Sequence, residues 1–175
     1  QEMTGLRGRK SGLLDNNMRD WQGLVNVIKV LLDETEKTRE ASQNLKWMPR
    51  SFRYILEDFA KHCDPSRVVP KLIPVSAEAA KKIESRGGWS YHQKVGLTYE
   101  HAVPLRTLFD LLMECRESKK DIEASIKKFF FVTWVTDEED SRLNQLGLRS
   151  KMPDGWNPEA SPHARYHAAG IEVLT

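Results

Sequence analysis

The sequence predicts an α+β fold, predominantly α-helical, with a small β element near the C-terminal half. Three observations predict it. Apolar residues recur at helical spacing from Trp21 to Met113. Cap residues and glycine stops punctuate those stretches. One dense aromatic and β-branched run, Phe129–Val135, reads as the clearest strand.

Residues 1–12 hold Gly5, Gly8 and Gly12 around Arg7, Arg9 and Lys10. They read as a basic arm, or more blandly as a solvated terminus. Asp15 can cap a long helix over 16–44, with Trp21, Leu24, Ile28, Leu31 and Leu32 on one face. Its second half, Asp33 to Gln43, is polar nearly all round and projects into solvent or onto a partner. Pro49 opens a second helix over 50–62, with Phe52, Ile55, Leu56 and Phe59 on one face. Pro65, Pro70 and Pro74 make 64–75 an extended connector, because proline and the residue before it disfavour helix. Ser76 caps a short helix that ends at Ser85 before Gly87 and Gly88.

The segment 89–104 reads as a loop or irregular hairpin around Gly96. A helix follows over 104–116. Ser118 and Asp121 then form a capping-box-like start to a helix reaching 128. After the strand at 129–135, Thr136 and Glu139 form a capping box for a helix over 137–146, closed by Gly147. Ser161, Pro162 and Gly170 frame a short last helix. Ile171–Leu174 reads as a final strand pairing with 129–135.

The length of 175 residues suits one domain with a sizeable core. One domain, 1–175, is the default. A helical arm over 1–62 on a catalytic or binding core over 66–175 is the variant of it. The chain is 39% hydrophobic and 30% charged, which excludes a disordered chain. No apolar run is long enough to span a bilayer, and no secretory leader is apparent at the start. Cys63 and Cys115 lack a paired spacing, so a reducing compartment, the cytoplasm, is expected. A net charge of +2 permits nucleic-acid binding without demanding it. The sequence shows no Gly-rich phosphate loop, nucleophile elbow, His-Glu-x-x-His or dinucleotide fingerprint, which disfavours kinases, P-loop NTPases, serine hydrolases and Rossmann dehydrogenases.

Chemistry concentrates around 86–106. Glu100-His101 precedes Pro104, so an imidazole sits at an element junction beside an acid. Histidine suits proton transfer because its pKa lies near neutrality. His92, Arg86, Lys94 and Arg106 fall within the same stretch. RNA cleavage without a metal needs a base, an acid and a cation for the developing phosphorane charge, and these residues can fill those roles. A polar connector of ordinary kind is the alternative reading.

The string Glu100-His101-x-x-Pro104 resembles the first motif of HNH, or ββα-metal, nucleases. The resemblance implies a base role for His101 and a metal-ligand role for Glu100. It covers about six residues, and the helix after Pro104 replaces the family's hairpin.

Two further candidates lie near the C-terminus. His163 and His167 stand one helical turn apart and can present two imidazoles to a divalent metal such as Mg or Zn, or be two surface histidines. Between them, Arg165 can grip a phosphate, and Tyr166 can stack on a base or pack in the core. The acids from Asp137 to Asp140 suit either Mg²⁺ or, more simply, a helix N-terminus.

The leading expectation is therefore a His-based nuclease acting on RNA or DNA, of toxin or defence type. The competing one is a non-catalytic helical module. It would bind a partner protein or nucleic acid through Arg7, Arg9 and Lys10, or a protein or second copy through the long first helix. A small metal-binding regulator using His163 and His167 is the third.

Overall fold

The computed structural model describes residues 12–41, 50–64, 73–88 and 95–174. The basic arm, His92, Lys94 and most of the proline connector lie outside those residues. The described chain forms seven helices and a four-stranded sheet, the α+β and mainly helical fold expected.

Helix α1 spans Gly12–Ala41 and α2 spans Arg50–Cys63. Strand β1 is Val75–Ser76, followed by α3, Ala77–Glu84. Strand β2 is Leu97–His101, followed by α4, Leu105–Glu114, and α5, Lys119–Phe129. Strand β3 is Val132–Thr136, followed by α6, Asp137–Gln145. Helix α7 is Ala164–Ala168 and strand β4 is Val173–Leu174.

The cap signals act as their chemistry requires. Ser76 Oγ accepts from the Ala79 amide at 3.0 Å. Ser118 accepts from Asp121 at 3.3 Å. The Thr136 and Glu139 box closes in both directions, at 3.1 and 2.8 Å. Each satisfies an amide that the first helical turn leaves unpaired.

Four expectations need correction. Helix α1 starts upstream of Asp15, which therefore lies inside it. The stretch expected to be a loop or hairpin contains a regular five-residue strand, β2. Phe129 closes α5 rather than opening β3. The last strand pairs with β1, not with 129–135. Each error is one of pairing or boundary, which depends on residues distant in sequence.

The sheet order is β2-β3-β1-β4. β3 runs parallel to β1 and antiparallel to β2, with Glu100 opposite Thr133 and His101 opposite Val132. Alternation along β2 sends Leu97, Tyr99 and His101 to one face and Thr98 and Glu100 to the other. The first face meets Ile73, Ala79, Val132 and Trp134. The second meets Val135, Leu143, Leu148, Tyr166 and Ile171 from α6, α7 and their flanks. The largest core lies among α1, α2, α4 and α5, where Leu24, Ile28, Leu32, Phe52, Leu56, Leu108, Leu112, Ile122 and Ile126 are buried. The first helix is therefore half embedded in that core, and no helix among the described residues is long and apolar enough to cross a membrane.

Candidate functional site

The end of β2 places Glu100 and His101 on opposite sides of the sheet, and their surroundings differ accordingly. Glu100 points toward α7. Its carboxylate forms an ion pair with Arg165, whose side chain is 0% exposed. The same guanidinium donates to the carbonyls of Leu148 at 2.6 Å, Arg149 at 3.0 Å and His101 at 2.8 Å. Tyr166 donates its hydroxyl to the Glu100 carbonyl at 3.2 Å. Burial pushes that phenol up to about 12, so it stays protonated. Neighbouring residues of α7 thus pin the backbone of the Glu100-His101 dipeptide.

Arg165 and Tyr166 are therefore internal braces. Fully buried, they are not placed to grip a phosphate or stack on a base. A metal held by Glu100 beside His101 as base, as the nuclease resemblance implies, does not fit these residues. The carboxylate is committed to Arg165 across the sheet from the imidazole.

His101 faces the helical layer. Its ring packs on Phe130, with centroids 5.8 Å apart, and edge-on to Tyr99 at 5.9 Å. Nε2 lies 3.7 Å from Glu57 Oε1, while Glu57 accepts from Arg53 Nε at 2.8 Å. Neither ring nitrogen has a hydrogen-bond partner among the described residues. Desolvation by burial, helped by the nearby Arg53 charge, lowers the pKa from 6.5 to about 3. The imidazole is therefore neutral at physiological pH. Its approach to Glu57 is a contact with a carboxylate already held by Arg53, longer than a hydrogen bond.

The side chain keeps 13% exposure, through ring carbon rather than nitrogen. Glu57 also lines a hollow of about 340 Å³ with Tyr54, Ile55, Asp58 and Lys61. Glu57 thus stands between the imidazole and that hollow. Neither Glu57 nor Arg53 carried a sequence signal, since both look like ordinary solvent-facing charges of an amphipathic helix. Their meeting with His101 depends on how α2 packs.

The remaining candidates scatter. Arg106 pairs with Asp110 on the exposed side of α4, at 3.1 Å. Arg86 donates to the Val95 carbonyl at 2.6 Å, bracing the turn before β2. His163 lies across the sheet from His101, packed on Phe131 at 5.0 Å and on Tyr166 at 5.8 Å. His163 and His167 line a different hollow of about 550 Å³ with Gly170, Ile171, Glu172 and Val173. His101 and the His163/His167 pair therefore do not join into one site. Among the described residues, no group of three or more His, Cys, Asp or Glu is placed to hold a metal.

Of the acids at 137–140, Glu139 is internal. Its Oε2 accepts from Ser76 Oγ at 2.5 Å and from the Thr136 amide, tying the starts of α3 and α6 together. Asp137 Oδ1 accepts from Thr98 at 2.9 Å and Glu138 meets Lys82 at 3.4 Å. These contacts make the acidic run a structural joint.

No family model, curated protein or solved structure matches this chain, so its function rests on the geometry of its own residues.

Proposed function

We propose that the protein cleaves phosphodiester bonds in RNA or DNA, with His101 as general base. The observation that carries this reading is the His101 ring, a neutral imidazole with both nitrogens unpartnered among the described residues and Glu57 at 3.7 Å. Buried polar atoms are nearly always satisfied, and an exception calls for a chemical account. A neutral imidazole with a carboxylate close by to hold its protonated form gives one.

In this reading the Glu57 side chain shifts to open a ring nitrogen to the hollow, and His101 takes the proton of the attacking water or ribose 2′-hydroxyl as that oxygen bonds to phosphorus. The Glu57 carboxylate then stabilises the imidazolium and keeps the ring in place. Arg53, close to the same ring, offsets the charge that develops on the phosphoryl oxygens. The imidazolium returns its proton to the leaving oxygen. Substrate approaches over the hollow at Tyr54 and Lys61, where an exposed tyrosine offers a stacking face.

The test uses mixed RNA and DNA with and without EDTA, beside the His101→Ala and Glu57→Gln variants. His101→Ala is expected to lower the rate by about 10²–10⁴-fold, the usual worth of a general base. Glu57→Gln loses less. The EDTA lane separates a metal-dependent route from a metal-free one. Cleavage that survives His101→Ala, or no cleavage in any lane, ends this reading.

A non-catalytic interaction module is the second reading. It is favoured by the exposed apolar side chains Val27 and Val30, three residues apart on α1, Val30 being 60% exposed. It expects the opposite pattern, with His101→Ala silent and Val30→Glu abolishing partner binding.

A further inference from the structure

We infer that His163 and His167 form a binding site for one borderline divalent transition-metal ion, Zn²⁺, Ni²⁺ or Cu²⁺, separate from the His101 site. The two residues are four apart, at the start and within the last turn of α7. Side chains at that spacing lie on one helix face, one above the other. Their ring centroids stand 6.5 Å apart with planes tilted by 38°. A side-chain rotation of one ring brings a nitrogen from each onto a common ion.

The two rings are unequally held, which favours chelation. His163 is fixed between Phe131 and Tyr166. Its Nδ1 is buried and lacks a hydrogen-bond partner among the described residues. His167 is exposed, so it can adjust to the ion. Both rings line the hollow of about 550 Å³. Gly170, with φ of +62°, turns the chain so that Ile171–Val173 run back along its floor.

The donor set decides the metal. Two imidazoles with no thiolate select Zn²⁺, Ni²⁺ or Cu²⁺ over Mg²⁺ or Ca²⁺, which prefer oxygen. Glu172 lines the same hollow, but the described residues present no three-residue ligand group there. The remaining positions are filled by water, so the ion is exchangeable. Binding also stiffens a helix of five residues, too short to be firm alone.

The experiment is calorimetric titration of the full chain with NiCl₂, ZnCl₂ or CuCl₂, each alone. Expected is one ion per chain with a dissociation constant in the micromolar range. His167→Ala, at an exposed position that folding does not need, weakens binding by at least about tenfold, the loss of one of two ligands. His163→Gln does the same. His62→Ala, His92→Ala and His101→Ala leave binding unchanged. No binding at millimolar metal, binding that survives His167→Ala, or binding lost with one of the other three histidines instead, each overturns the assignment. The readout is independent of any nuclease activity.

Discussion

Glu100 and His101 are adjacent in the chain, yet the two sides of β2 treat them in opposite ways. On the α7 side the carboxylate meets a buried guanidinium, and the guanidinium spends three further hydrogen bonds on backbone carbonyls. On the α2 side the imidazole has no hydrogen bond among the described residues, although a carboxylate stands 3.7 Å away. The lesson is that a two-residue motif is not one site. The period of a strand separates its members, and each takes its role from the layer it enters. One side is a brace for the backbone. The other is a buried, neutral ring with no hydrogen bond among the described residues.

The largest expected effect tests the braced side. Arg165→Ala leaves the half-buried Glu100 carboxylate and three backbone carbonyls without their buried donor, and breaking such a pair costs up to about 3–5 kcal/mol. Urea unfolding followed by circular dichroism measures it. A cost below about 1 kcal/mol would mean that the pair braces nothing, since that is the worth of a surface pair.

The next effect tests the other side through pH. His101 has a folded-state pKa of about 3 against 6.5 when solvated. The unfolded chain therefore binds more protons between those values. The stability linked to this group is fully present above 6.5 and is lost as pH falls toward 3, by about 1.4 kcal/mol per unit. His101→Leu removes that slope. At pH 7 it is neutral or slightly stabilising, because it replaces an unpartnered polar group by an apolar one. Unfolding free energies at several pH values, wild type against variant, give the difference. Parallel curves would show that the ring is not held neutral.

The smallest effect sharpens the contrast. Tyr166→Phe removes the hydroxyl that donates to the Glu100 carbonyl and costs about 1 kcal/mol. A shift in thermal midpoint reports it. If Tyr166→Phe is silent while Arg165→Ala is severe, the brace is the guanidinium alone.

Much of the fold was legible because its signals are local. Ser76, Ser118 and the Thr136–Glu139 box each start a helix where the sequence predicts one. The apolar faces holding Leu24, Ile28, Phe52 and Leu56 are buried as their spacing requires. The candidate site was legible only in part. His101 stood out by its residue type and its place before Pro104. Glu57 and Arg53 did not, because a charged pair four apart on a helix is ordinary. Arg165 and Tyr166 looked like binding residues because nothing in their own segment says that they are buried.

The sequence by itself determined where the helices after Ser76, Ser118 and Thr136 begin, which faces are apolar, and that a histidine chemistry was conceivable near residue 101. Those depend on side chains within a turn or two of one another. Only the tertiary structure decided that β4 pairs with β1, that Glu100 is bound by Arg165, and that Glu57 meets His101. These partners lie 44 to 99 residues apart in the numbering of the chain, as Glu57–His101 and Val75–Leu174 show. Contacts at such separations form only when whole layers pack, and packing depends on every residue of the two surfaces at once.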